Sequence, residues 1–128
     1  MPETANATRT AITWFEIPAT DLQRAKRFYE AIFETELKTV DFGGPMAIFP
    51  YENPGIGGCI VAGGDSHPSP HGTLVYLNAE GRLDRTLDLV TQAGGRVNSP
   101  KVKVTDDIGY VAHIIDSEGN RVGLHAKA

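Results

Sequence analysis

Residues 13–33, TWFEIPATDLQRAKRFYEAIF, decide the fold because they join a β-rich run to an amphipathic helix. The β-rich run covers residues 11–17 and is predicted to end at Pro18, which cannot donate to a sheet. Thr20 or Asp21 can then cap the helix. Apolar residues of the helix recur at the spacing of a single helical face: Leu22, Ala25, Phe28, Tyr29, Ile32 and Phe33.

Short β-rich runs and a second helix follow this stretch, separated by glycine, proline and asparagine turns. The predicted strands after the first helix cover residues 37–42, 45–50 and 57–62, and residues 65–72 are predicted to be a linker. The second half is predicted to contain a strand at 73–78, a helix at 83–93 and β-rich runs at 96–98, 102–105, 110–115 and 121–125.

The order of elements repeats along the chain. Leu83 of the second helix lies 61 residues after Leu22, and Gly119 lies 64 residues after Gly55. Each half is therefore a strand–helix–three-strand unit of about 60 residues, too small to close a core alone. We predict one α+β domain over residues 10–126, made of module one (10–64), the linker (65–72) and module two (73–126), after a flexible arm at 1–9.

Composition excludes several functional classes. The chain has 128 residues, a formal net charge of −4 and one cysteine. The net negative charge and the lack of a run of lysine and arginine argue against a nucleic-acid-binding surface. No apolar run approaches the ~20 residues of a membrane span. The polar start lacks the apolar region of a secretory signal, and a lone cysteine forms no internal disulfide, so we expect a cytoplasmic protein.

Three separated segments resemble the vicinal oxygen chelate superfamily, which includes glyoxalases, bleomycin-resistance proteins and dioxygenases. They are the opening stretch at 13–33, GTLVYLNAEGRLDRTLDLVTQAGGRV at 72–97, and the closing DSEGNRVGLHA at 116–126. The resemblance covers residues 10–126 and implies two βαβββ modules whose sheets form a curved half-barrel around a pocket. One scaffold of this kind hosts many chemistries, so the resemblance specifies fold more than function.

The resemblance also implies four metal-ligand positions, one each on the first and last strands of both modules. They correspond here to Trp14, Cys59, residues 73–75 and Gly123. Catalytic relatives carry histidine, glutamate or glutamine there, whereas an indole and a glycine supply no donor. We therefore expect no cofactor and no metal of the usual kind.

Strand alternation points to two other ionisable residues. Glu16 lies two residues after Trp14, and His125 lies two residues after Gly123, so each faces the same side as the position it follows. By resemblance, a glyoxalase-like subgroup without the ligands carries this glutamate and this histidine. We predict Glu16 and His125 as a catalytic acid–base pair, with an exposed carboxylate and a frayed C-terminal residue as the alternatives.

Three further residues are predicted to bind substrate. Trp14 can form a pocket wall, Tyr76 can donate a hydrogen bond, and Cys59 lies at a ligand position, although each residue type is also common in cores. His67 and His71 are predicted as loop residues, since Pro68 and Pro70 prevent a helix that would align them.

The predicted function is binding of a small oxygen-rich molecule between the modules, with catalysis of a lyase or isomerase type left open. One alternative is a metal-dependent lyase, isomerase or dioxygenase whose ligands are displaced along the strands. Others are a sequestering protein without turnover and a structural or regulatory module without a ligand. We expect a homodimer, because many members of the resembled superfamily are dimers.

Overall fold

The computed structural model describes residues 10–41, 43–53 and 55–128, and within them both modules form a strand, a helix and three strands. The predicted arm at 1–9 lies outside the described residues. Module one contains β1 (Trp14–Ala19), α1 (Leu22–Phe33), β2 (Lys38–Asp41), β3 (Pro45–Ile48) and β4 (Gly57–Ala62). Module two contains β5 (Tyr76–Asn78), α2 (Leu83–Ala93), β6 (Arg96–Thr105), β7 (Gly109–Ile115) and β8 (Arg121–Ala126).

Each module forms one mixed four-stranded sheet, and the two sheets have the same order. The strands lie as β1-β4-β3-β2 in the first sheet and β5-β8-β7-β6 in the second. The first strand of each module pairs in parallel with the last, and the other pairings are antiparallel. The fold is thus the predicted α+β pair of βαβββ modules, arranged as two sheets without a closed barrel.

The core lies between the sheets and the two helices. All six residues of the predicted apolar stripe on α1 are buried, and Asp21 caps this helix by accepting from the backbone nitrogen of Arg24 at 3.0 Å. On the sheets, core residues alternate with residues facing away from the helices: Ile17 and Leu124 are buried among core side chains, while their neighbours Glu16 and His125 are more exposed. The sheet surface facing away from the helices is called the open face below.

Three parts of the strand prediction were wrong in their bounds. Pro18 does not end β1, which begins at Trp14 and continues to Ala19, because β1 is an edge strand and pairs only with β4. The runs at 96–98 and 102–105 form a single strand, β6, whose register shifts around Pro100. β5 is also shorter than predicted, beginning at Tyr76.

A buried polar cluster joins the two modules. Asp116, in the turn between β7 and β8, accepts from the hydroxyl of Tyr29 on α1 at 2.6 Å. Asn120 of the same turn donates through Nδ2 to the carbonyl of Pro18 at 2.7 Å. Its Oδ1 accepts from the backbone nitrogen of Ser69 at 3.0 Å, so this turn holds β1 and the linker in place.

Candidate functional site

Two cavities lie where residues of both modules meet. The smaller, here the polar cavity, has a volume of about 200 Å³ and is lined by residues that include Glu16, Pro18, His67, His71, Thr73 and Arg121. The larger, here the phenylalanine cavity, has a volume of about 340 Å³. Residues of β1 and residues at or just before β5 border both cavities, so each contains surface from both modules.

The polar cavity brings together opposite charges from different modules. Glu16 comes from the first strand of module one, and Arg121 comes from the last strand of module two. Within residues 10–41, 43–53 and 55–128, neither side chain forms an ion pair or a hydrogen bond. Both charged groups are therefore available to a bound molecule.

The linker adds two imidazoles to this cavity. His67 and His71 lie outside helices and strands, as predicted, and both line the polar cavity beside Glu16. The bond from Ser69 to Asn120 anchors the linker there. Sequence reasoning missed this role because no local pattern fixes the path of a loop. It also missed Arg121, which alternation does place on the face of Gly123 and His125.

His125 lies on a different sheet from Glu16, since β8 belongs to the second sheet and β1 to the first. It is on the open face of the second sheet and lines neither cavity. Its Nε2 lies 2.7 Å from the carbonyl oxygen of Ile108. A carbonyl only accepts, so Nε2 carries the proton and Nδ1 of the neutral ring is an acceptor.

Tyr76 also lies on the open face of the second sheet. Its hydroxyl is 2.8 Å from Nε2 of His113, and its ring covers Gly123, where a Cβ atom would lie 2.3 Å from a ring carbon. Register places Tyr76 directly opposite Gly123. The absence of a side chain at Gly123 is what allows Tyr76 to reach His113.

Trp14 and Cys59 occupy the corresponding face of the first sheet. Trp14 lies opposite Gly57 and makes an edge contact with Tyr51 at a ring separation of 6.0 Å, while Cys59 lies opposite Glu16. Burial, followed by the negative charge of Glu16, raises the pKa of the Cys59 thiol, and a hydrogen bond with Trp14 opposes this only in part. Trp14 is exposed and Cys59 is buried.

These residues do not fit the metal centre that the fold implies. Trp14 and Gly123 supply no donor, so Cys59 and Thr73 alone remain at the four positions, fewer than the three or more donors that a divalent ion needs. Across the described parts of the chain, no group of three or more histidine, cysteine, aspartate or glutamate residues has the geometry to hold a metal ion. No reaction step is therefore assigned to a metal.

Known proteins resemble this chain in sequence and in fold. Residues 11–124 match the family described as the Glyoxalase/Bleomycin resistance protein/Dioxygenase superfamily. The chain belongs to this superfamily. A "Glyoxylase-like domain-containing protein" from Didymella fabae is 29% identical over 120 residues, which cover 85% of this chain and 88% of the relative.

Solved structures of this superfamily have the same fold. A glyoxalase/bleomycin resistance protein from Albidiferax ferrireducens T118 superposes with a TM-score of 0.70 at 20% identity, covering 93% of this chain and all of that one. One from Streptomyces sp. CB03234 gives a TM-score of 0.62 at 21% identity over 90% and 99% of the two chains. Neither helix among the described residues of our protein has the length and apolar character needed to cross a membrane.

Proposed function

We propose that this superfamily member binds a small oxygen-rich anion in the polar cavity. The observation that carries the proposal is the shared position of Glu16 and Arg121, two charged groups from different modules that have no partner among the described residues. A volume of about 200 Å³ is below the roughly 300–1,000 Å³ of drug-sized ligand sites. The cavity thus suits a compound of a few heavy atoms.

Arg121 and Glu16 have different roles in this proposal, the first in binding and the second in proton transfer. The guanidinium of Arg121 offers paired donors that match a carboxylate, and such charge-assisted bonds are about twice as strong as neutral ones. Glu16 is the proton acceptor in this proposal. It would remove a proton from a carbon or oxygen beside the bound carboxylate.

An imidazole is the second member of the acid–base pair. His67 and His71 line the same cavity as Glu16, so we assign this role to one of them. His125, the partner predicted from sequence, has a free Nδ1 but lies outside the cavity lining. The experiment below includes His125 so that the two assignments are separated.

Pyruvate tests both binding and proton transfer. Titration followed by ¹H–¹⁵N spectra should shift the amide signals of Glu16 and Ile17 and of residues 120–122. Arg121→Met should weaken binding at least about tenfold, the effect of losing one charge-assisted contact, whereas the exposed control Arg96→Met should not. Shifts elsewhere, or equal affinity of Arg121→Met and the native chain, would contradict the proposed site.

Exchange of the pyruvate methyl protons with D₂O reports the chemical step. Glu16→Gln should abolish exchange and retain binding, because glutamine keeps the shape but accepts no proton. Loss of exchange in His67→Ala or His71→Ala supports the cavity pair, and loss only in His125→Ala supports the sequence-based pair. Exchange that survives in Glu16→Gln would overturn the role of the carboxylate.

Sequestration without turnover is the second candidate function. It is favoured by the exposed Trp14, which makes an edge contact with Tyr51 on the open face of the first sheet. Such a pair offers aromatic surface to a ligand without any reactive group. Pyruvate binding with no exchange in the native chain would favour this candidate over catalysis.

A homodimer also belongs to the proposal. Several large apolar side chains are exposed, among them Trp14, Tyr76, Val102 and Val104. Covering them against a second copy would remove apolar surface from water. Light scattering should give twice the mass of one chain, and the mass of a single chain would contradict the dimer.

A further inference from the structure

The phenylalanine cavity differs in chemistry from the polar cavity. It combines charged groups with an apolar wall of Phe15, Phe33, Phe49 and Leu77, whereas the polar cavity has imidazoles and no phenylalanine. Its volume of about 340 Å³ lies within the roughly 300–1,000 Å³ of small-molecule sites, which are mostly apolar with a few placed polar groups. The cavity is therefore large enough for a ring-containing ligand, and its phenylalanines offer that ring an apolar wall.

Three phenylalanine side chains line this cavity. Phe15 and Phe49 pack with ring centres 5.6 Å apart. Gly58 leaves room for the Phe15 ring, since a Cβ atom there would lie 2.3 Å from it. Ring faces and edges pair well with another aromatic ring, by about 0.5–1.5 kcal/mol beyond burial alone. A planar aromatic ring is thus the best match for these walls.

The polar groups of the cavity indicate which substituent the aromatic ring of a ligand should carry. Asn78 uses its Oδ1 to accept from the backbone nitrogen of Glu80 at 2.9 Å, which leaves its Nδ2 as a donor. Arg82 donates one guanidinium nitrogen to the carbonyl of Phe33, and its other nitrogens make no bond within the described residues. Both free groups are donors, so the ligand must present an acceptor.

The charge at the cavity favours an anionic acceptor. Glu34 also lines the cavity, but its carboxylate is paired with Arg85 at 2.8 Å. The opposite charges of Glu34 and Arg85 cancel, so the positive charge of the Arg82 guanidinium remains uncompensated. A carboxylate on the ring would meet this cation and the amide of Asn78 together.

We infer that the phenylalanine cavity is a second ligand site, for a small aromatic carboxylate whose ring lies among Phe15, Phe33 and Phe49 and whose carboxylate meets Arg82 and Asn78. This inference does not rest on the proposed function, which concerns the polar cavity. The two sites share only their position between the modules.

Benzoate is the probe, with benzyl alcohol as the neutral analogue. Titration of the full chain should shift the amide signals of Leu77 and Asn78, and the benzoate ring protons should show nuclear Overhauser contacts to Phe15 or Leu77. Arg82→Met should weaken the binding of benzoate at least about tenfold and the binding of benzyl alcohol less than twofold, because only benzoate carries a charge that pairs with the guanidinium. Arg27→Met, an exposed charge removal on α1, should change neither.

A second variant tests the cavity itself. Ile56 lines the cavity and is 36% exposed, so Ile56→Trp can fill the space without disturbing the core. Ile56→Trp should weaken the binding of both benzoate and benzyl alcohol. Benzoate-induced amide shifts confined to Glu16, Ile17 and residues 120–122, or undiminished benzoate binding in Arg82→Met, would overturn the inference. If Ile56→Trp fails to fold, the Overhauser contacts and Arg82→Met decide it.

Discussion

Tyr29 on the first helix donates its hydroxyl to Asp116 in the last turn, at 2.6 Å, and both residues are buried. The two residues lie 87 positions apart in the chain. Asp116 also accepts from Asn120 through backbone nitrogen and side-chain Nδ2, at 2.9 and 3.0 Å. The bond therefore couples module one to the turn that supports the polar cavity.

Tyr29→Phe should lower the free energy of unfolding by about 1–3 kcal/mol, because the buried acceptor on Asp116 loses a partner while the ring remains. Tyr51→Phe is the matched control, since Tyr51 is 51% exposed and should change stability by less than about 0.5 kcal/mol. Urea denaturation at pH 7 measures both. Equal stabilities of the two variants would contradict the role of the bond.

The Glu118 carboxylate should make stability sensitive to acid. Burial raises its pKa, but hydrogen bonds to the carboxylate outweigh burial and lower the pKa to about 2. The donors are the Arg24 side chain, the backbone nitrogens of Asp21 and Thr20, and the Ser117 hydroxyl. An unfolded glutamate titrates near 4.5, so the folded state gains stability above that pH. The gain should be lost as pH falls from about 4.5 to about 2.

Denaturation across that pH window measures the effect. The lowered pKa corresponds to roughly 3 kcal/mol at most, and the solvent exposure of Arg24 reduces this figure. Glu118→Gln should be less stable at pH 7 and should show a shallower loss of stability between pH 4.5 and 2. An unchanged acid dependence in this variant would show that other carboxylates cause it.

Local patterns predicted most of the fold, because the helices and strands are fixed by nearby residues. The stripe on α1 and the run at 57–62 matched the structure, as did the helix at 83–93. Pro18 was misleading because a proline is tolerated in an edge strand, and the position of a strand within its sheet is not visible in sequence. The runs at 96–98 and 102–105 were predicted separately because the register shifts that join them in β6 are not visible in sequence either.

The candidate site was less accessible to sequence reasoning, because it depends on contacts between distant segments. Strand alternation predicts which side of its strand each of Glu16 and His125 lies on, but it carries no information on the distance between them. His67 and His71 line the same cavity as Glu16, and the linker that carries them is tied to Asn120 through Ser69, 51 positions away. Only the folded chain reveals such a bond.

Cys59 should resist thiol reagents in the folded protein. The side chain is buried, and burial together with the charge of Glu16 raises its pKa, so little thiolate forms at pH 8. We expect a disulfide-exchange reagent such as DTNB to label Cys59 at least about a hundredfold more slowly in buffer than in 6 M guanidinium chloride. Comparable rates in the two solutions would contradict the buried, protonated thiol.

Comparing Gly109 with Gly119 separates two costs of adding a side chain at a positive φ, namely the strained backbone conformation and the steric clash of the new Cβ atom. Both have similar backbone angles, with φ of +98° and +93°. At Gly109 a Cβ atom would lie 2.4 Å from the carbonyl oxygen of Ala126, whereas Gly119 has nothing within 4 Å. The left-handed conformation alone costs about 1–2 kcal/mol.

Gly119→Ala should therefore lose about 1–2 kcal/mol of unfolding free energy, the conformational part alone. Gly109→Ala should lose clearly more, because the clash forces β7 away from the end of β8 and this backbone contact cannot be relieved by rotating a side chain. Paired thermal and urea unfolding measure the difference. Equal losses in the two variants would show that the end of β8 yields freely, and the contact at Ala126 would then contribute nothing to stability.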